Sequence, residues 1–232
     1  MKRTALVTGA TAGIGAKFAH LLAKGNFNLV LVARNEERLH ETAQILTDEY
    51  GIGCEVIRAD LTTDEGCRLI EERLSRPSEP IEVLINNAGF AIRDSFLTSS
   101  REAEIQLFDV LCRTPMRLMH AVLPGMKERN SGVIINVSSV SGWMASGSYS
   151  AAKSYLTVLS ESLHTQLRGT QVHVLALCPG FTRTEFHQRG KINMKFLPEF
   201  FWLNAEEVVD QAWADAQAGK AISIPGKQYQ VI

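Results

Sequence analysis

The chain has 232 residues, 45% hydrophobic and 21% charged, which is enough to bury a full core and suits one α/β domain spanning 1–232. A net charge of −1, with both signs mixed throughout, leaves no basic patch for nucleic acid or an anionic membrane surface. No apolar run approaches the ~18 residues that span a bilayer, and the stretch after Met1-Lys2-Arg3 is cut by Thr8-Gly9 too early for a leader, so a cytoplasmic location is expected.

Apolar strands and amphipathic helices alternate along the whole chain. Residues 5–8 make a short strand that runs into Thr8-Gly9-Ala10-Thr11-Ala12-Gly13-Ile14-Gly15 and a helix over 15–24 with Ile14, Phe18 and Leu21/Leu22 on one face. Glycines let the backbone turn sharply and a pyrophosphate come close, while the unpaired N–H groups of a helix start favour an anion. The spacing is G-x-x-x-G-x-G, not the general G-x-G-x-x-G. A strand at 29–32 leads into Ala33-Arg34-Asn35 and a helix over 35–50; a strand at 55–58 leads to Asp60-Leu61 and a helix over 63–75. The strand 83–86 ends in Asn86-Asn87-Ala88-Gly89, ahead of one long helix over 101–128. The strand 133–138 ends in Ser138-Ser139, and the helix 149–168 carries Tyr149 and Lys153. A strand at 172–178 runs into Pro179-Gly180-Phe181-Thr182-Arg183-Thr184, followed by a helix over 205–217 and a late strand at 221–224. Strands this apolar, separated by helices, argue for a doubly wound parallel sheet of about seven strands covered on both faces. The stretch 187–201, with Gly190, Pro198 and the aromatics Phe196, Phe200 and Phe201, is read as a substrate-binding loop.

Cys54, Cys67, Cys112 and Cys178 stand singly and the six histidines form no cluster, so reduced thiols and no metal are expected. The chemistry is in the Tyr149/Lys153 pair. A phenol has an unperturbed pKa of about 10, and an amine four residues on along a helix reaches it and favours its ionised form. A ketone that accepts hydride develops negative charge on oxygen and needs such a donor.

Together these motifs resemble the short-chain dehydrogenase/reductase family, in the family's order and over essentially the whole chain. The resemblance implies an NADP(H)-dependent oxidoreductase with a Rossmann-type sheet, acting between a carbonyl and a secondary alcohol. Tyr149 would be the general acid/base, Lys153 would lower its pKa and bond the nicotinamide ribose, and Ser139, followed by Val140-Ser141-Gly142, would be the second donor. Ser138 alternates to the other side of the strand. The implied cofactor site comprises Gly9, Thr11, Gly13, Ile14, Gly15, Arg34, Asp60, Leu61, Asn87, Ala88, Gly89, Tyr149, Lys153, Pro179, Gly180, Thr182 and Thr184, with the two threonines on the carboxamide. At the end of the second strand an acid would accept a ribose hydroxyl, whereas Ala33-Arg34 offers a guanidinium to a 2′-phosphate, so NADP(H) is preferred; Glu36 or Glu37 is the alternative, for NAD(H). One departure stands out: Leu111 occupies the place where the family carries an Asn that helps to position a water linking the Lys to solvent. That Leu favours an alternative, a non-catalytic dinucleotide-binding redox sensor or scaffold; an epimerase or dehydratase relative would have another glycine spacing and a longer chain. The substrate is expected to be small and apolar. Apolar residues Leu107, Leu111, Leu118, Val122, Leu156, Leu159, Leu163 and Leu167 beyond those that cover a sheet suggest a homodimer or homotetramer through the two long helices.

Overall fold

The computed structural model describes residues 2–186 and 197–230. Seven parallel strands form one sheet in the order β3-β2-β1-β4-β5-β6-β7: β1 (Thr4–Thr8), β2 (Asn28–Ala33), β3 (Cys54–Arg58), β4 (Ile81–Asn86), β5 (Gly132–Val137), β6 (Val172–Leu177) and β7 (Ile222–Ser223). The central strands read as nearly continuous apolar runs because both faces are covered, while the edge strand β3, with Glu55 and Arg58, is only half-buried. Ala5 and Val7 of β1 point to a layer holding Phe18 and Leu22, Leu39 and Leu46, and Val208 and Ala212. Leu6 points the other way, to Ile70, Leu118, Met119 and Leu156. The first layer is α1 (Gly13–Lys24), α2 (Glu36–Tyr50) and, late in the chain, Ala205–Gln217; the second is α3 (Asp64–Leu74) with the helices that follow β4 and β5. The strand order reverses between β1 and β4, and the crevice at the carboxyl ends of those strands is where a ligand of an open α/β sheet sits.

The single long helix expected over 101–128 is three pieces. Helix α4 (Arg101–Phe108) passes into a π-turn, Asp109–Arg113, before α5 (Thr114–Arg129). The Thr114 N–H reaches back five residues to the Asp109 carbonyl, and Pro115 has no N–H to give either Val110 or Leu111. Helix α6 (Gly147–Gln166) carries Tyr149 and Lys153, and the last helix, Ala205–Gln217, is α7. Elsewhere the expected elements differ only at their ends.

The leucines taken as dimer-forming are used inside the protomer. Leu107, Leu111, Leu118, Val122, Leu156 and Leu167 are buried, and Leu159 and Leu163 pack against the second layer. Exposed apolar groups on these helices are instead Ile105, Phe108, Met116, Tyr155 and Val158. Of 187–201, only Leu197–Phe201 lies within the described residues, with a 3-10 turn at Glu199–Phe201. Among the described residues no helix is long and apolar enough to cross a membrane.

Candidate active site

The glycine turn forms a cradle that side chains would fill. Gly9 and Gly13 adopt φ +67° and +55°, conformations costly for other residues. A Cβ on Gly15 would lie 2.3 Å from the Gly9 carbonyl oxygen and 2.3 Å from Asn87 Nδ2. Helices α2, α3 and α4 start with a side-chain cap from Asn35, Thr63 and Ser100, but α1 starts on Ala12, which has none to give. Its first amides therefore remain available to an anion, and the residues fit the pyrophosphate of a dinucleotide.

Two side chains hold this turn. Thr8 Oγ1 accepts the amides of Asn87 (3.0 Å) and Ala88 (3.1 Å) and donates to the Ile85 carbonyl. Asn87 Nδ2 donates to the Thr8 and Gly9 carbonyls at 2.9 and 3.2 Å. Asn87 thus acts on the cradle rather than reaching past it, and Thr8, named at first only as a strand end, is a functional support. Ile14 packs on the first core layer and Thr11 is half-buried. Arg34 is exposed at the end of β2. Asp60 accepts the amide and hydroxyl of Thr62, Leu61 is buried with its carbonyl bonded by Thr114 Oγ1, and the exposed Gly89 backs onto Leu111. Pro179 accepts the Val140 amide. Gly180 is glycine for packing: a Cβ there would lie 2.1 Å from the Tyr229 ring, whose hydroxyl accepts the Phe181 amide and donates to the Phe201 carbonyl. Tyr229, so close to the chain end, had no sequence signal. Thr182 is buried with its hydroxyl on the Gly180 carbonyl, whereas Thr184 faces Gly13.

At the end of β5 the two serines part. Ser138 is buried, donates to the Lys153 carbonyl at 2.8 Å and pairs with Thr157 at 2.7 Å, so it fastens α6 to the sheet. Ser139 is half-buried, accepts the Ser141 amide, and its hydroxyl favours the ionised form of Tyr149. Two residues before Ser138 on β5, Asn136 takes a bond from Asn86 and gives one to Ser160 of α6, both at 2.8 Å, a buried chain that ties the register of α6 to β4 and β5.

Lys153 Nζ donates to the Val137 carbonyl at 2.7 Å and sits 5.5 Å from the Tyr149 ring centre. Burial governs the titration of both groups. Burial pushes Tyr149 well above the usual phenol range, and only the Ser139 hydroxyl opposes it. Burial also pulls Lys153 down to about 8, against a smaller opposing influence of Cys178 and Cys112. A cavity of about 10 Å³ adjoins Lys153, lined among others by Thr8, Asn86, Val110, Leu111 and Thr114. Leu111 brings no polar side chain to it, yet the π-turn and Pro115 deny its own carbonyl the usual main-chain donor. Around Tyr149 the walls are apolar, with Phe90 and Ile92 in the same cluster and Phe186 at 5.9 Å between ring centres. The exposed Trp143 and Met144 lie on the loop between Ser139 and α6.

Comparison with known proteins agrees with the fold. The family model for short chain dehydrogenases matches residues 3–194. An uncharacterised oxidoreductase of Staphylococcus saprophyticus is 33% identical over 206 residues, 85% of this chain and 88% of that one. A very-long-chain 3-oxoacyl-CoA reductase of Anas platyrhynchos is 32% identical over 81% of this chain, which spans 62% of that longer protein. A short-chain dehydrogenase of Sphingobium yanoikuyae, solved in complex with NADPH, is 35% identical with a TM-score of 0.92, over 97% of this chain and 88% of that one. With the seven-stranded parallel sheet, the glycine cradle and the Ser139, Tyr149 and Lys153 group at the end of β5, the chain belongs to the short-chain dehydrogenase/reductase family of oxidoreductases.

Proposed function

We propose that the protein is an NADP(H)-dependent reductase or dehydrogenase that interconverts an apolar ketone or aldehyde and its alcohol. The observation that carries this reading is the Ser139–Tyr149–Lys153 group gathered beside the glycine cradle. When bound, the nicotinamide supplies or takes the hydride. Ser139 and Tyr149 hydroxyls point their hydrogen bonds at the carbonyl oxygen, and Tyr149 gives up its proton as negative charge develops there. Lys153, charged below about pH 8, stabilises the phenolate left behind. The apolar walls from Phe90, Ile92 and Phe186 favour a substrate with large apolar groups, in keeping with the acyl chain named in the Anas relative. Leu111 supports one other reading, a non-catalytic dinucleotide sensor, but a sensor has no use for this proton-transfer group. NADPH oxidation against a panel of aryl and long-chain ketones decides between them: no turnover on any, with tight NADPH binding, leaves the sensor.

The 2′-phosphate is assigned to Arg34, supported by the NADPH found in the Sphingobium relative. Arg34→Ala is expected to weaken NADPH binding by about 1.5–3 kcal/mol, the range for a charged hydrogen bond, with NADH nearly unchanged. Equal losses in a fluorescence titration of both cofactors would mean Arg34 only supports the fold. The protein acts in the cytoplasm as a homodimer or homotetramer, its exposed strip of Ile105, Phe108, Met116, Tyr155 and Val158 covered by a second copy. Light scattering at micromolar concentration should give at least twice the 25.6 kDa of one chain; the single mass would sink the assembly.

A further inference from the structure

Three consecutive residues after β6 touch three different walls of the crevice. Thr184 Cβ lies 3.1 Å from where a Cβ on Gly13 would stand, and the Phe186 ring rests 5.9 Å from that of Tyr149. Between them, Glu185 forks onto Arg38 of α2, with Nη1–Oε2 and Nη2–Oε1 both at 3.4 Å. A dinucleotide in this kind of sheet lies between the β1–α1 turn and the β2–α2 turn. A segment that meets Gly13 on one rim and Arg38 on the other therefore crosses that crevice. Arg38 stands four residues beyond Arg34, next to the end of β2.

We propose that Arg38 is a second cation for the 2′-phosphate of NADP(H), and that the Glu185 carboxylate holds its guanidinium until the phosphate replaces it. This rests on the reading above that the crevice takes that dinucleotide. A guanidinium fork fits carboxylate and phosphate oxygens alike, so one can stand in for the other. The pair is easily exchanged: 3.4 Å is longer than the about 2.7–2.9 Å of a tight charge-assisted bond, and both side chains are near 44% exposed. A phosphate monoester carries up to about two negative charges at neutral pH against the carboxylate's one, and is the better partner. NADH has no such group and leaves Arg38 on Glu185. The exchange thus adds to the discrimination between the two cofactors and frees the Thr184–Phe186 segment from α2 when the phosphorylated one arrives.

The test compares Arg38→Gln and Glu185→Gln with the wild-type protein in titrations with NADPH, NADH and adenosine 2′,5′-bisphosphate. Arg38→Gln should weaken NADPH and the bisphosphate about tenfold, while Glu185→Gln, by removing the competitor, should tighten both about threefold; NADH should stay within about twofold in each. Effects of opposite sign separate phosphate competition from a general loss of folding. NADPH affinity unchanged in Arg38→Gln, or not tightened in Glu185→Gln, overturns the proposal while NADPH binding by the wild type leaves the cofactor reading standing. A wild-type protein that binds neither dinucleotide sinks that reading, and the exchange with it.

Discussion

Tyr149→Phe is expected to lower ketone turnover by roughly 10²–10⁴-fold while leaving NADPH affinity within about twofold. The change deletes one oxygen. The ring keeps its contact with Phe186, and Lys153 keeps its bond to the Val137 carbonyl, so neither the apolar wall nor the anchoring of α6 is disturbed. What is lost is the phenol that acts with Ser139 and carries the transferable proton. Ser139 alone can polarise a carbonyl, but its proton is far harder to release than that of a phenol. Steady-state rates on the best ketone of the panel, with NADPH affinity from fluorescence, check this directly. Full turnover in the variant would remove Tyr149 from its role; a matching loss of NADPH binding would make it a structural residue.

Much of the fold was legible because a strand buried on both faces carries its signal in its own residues. The central strands are short, largely apolar runs, and most helices begin at a polar cap such as Asn35, Thr63 or Asn204. The break at 109–113 was less visible, since the apolar period of Leu107, Leu111 and Leu118 continues across it; Pro115 was the available sign. Periodicity also could not say what covers an apolar face. Leu118 and Leu156 meet the sheet and neighbouring helices, while Phe108 and Val158 face outward. In the site, the spacing of Ser139, Tyr149 and Lys153 was readable because the chemistry fixes it locally on one strand end and one helix. Contacts made across the chain were not. Lys153 bonding Val137, Asn87 holding Thr8 and Gly9, Tyr229 seated on Gly180 and Arg38 meeting Glu185 depend on the fold to bring distant residues together.

The charge on Lys153 sets the second large effect, a pH dependence in which activity and stability move apart. With its pKa pulled down to about 8 by burial, Lys153 is an ammonium at pH 6–7 and neutral at pH 9. Ketone reduction builds a phenolate at Tyr149, and Lys153 lies beside that ring to balance it. The kcat/KM for reduction is therefore expected to be flat below about pH 7 and to fall towards tenfold per pH unit above about 8. Stability responds with the opposite sign. The unfolded lysine titrates near 10.4, so between about 8 and 10.4 the unfolded chain binds more protons than the folded one, and this group makes unfolding less favourable as pH rises through that window. Tyr149, raised by burial, reverses the trend only above about 10, where the unfolded phenol loses its proton first. A rate profile and a thermal melt on the same samples distinguish the two causes of lost activity. Activity that falls above pH 8 with an undiminished Tm places the titration on Lys153, and Lys153→Arg, whose guanidinium stays charged, should keep a lower rate that no longer falls there. A profile for the wild type that is flat through pH 9 would mean that the amine keeps its proton, or that its charge is not needed for the proton transfer.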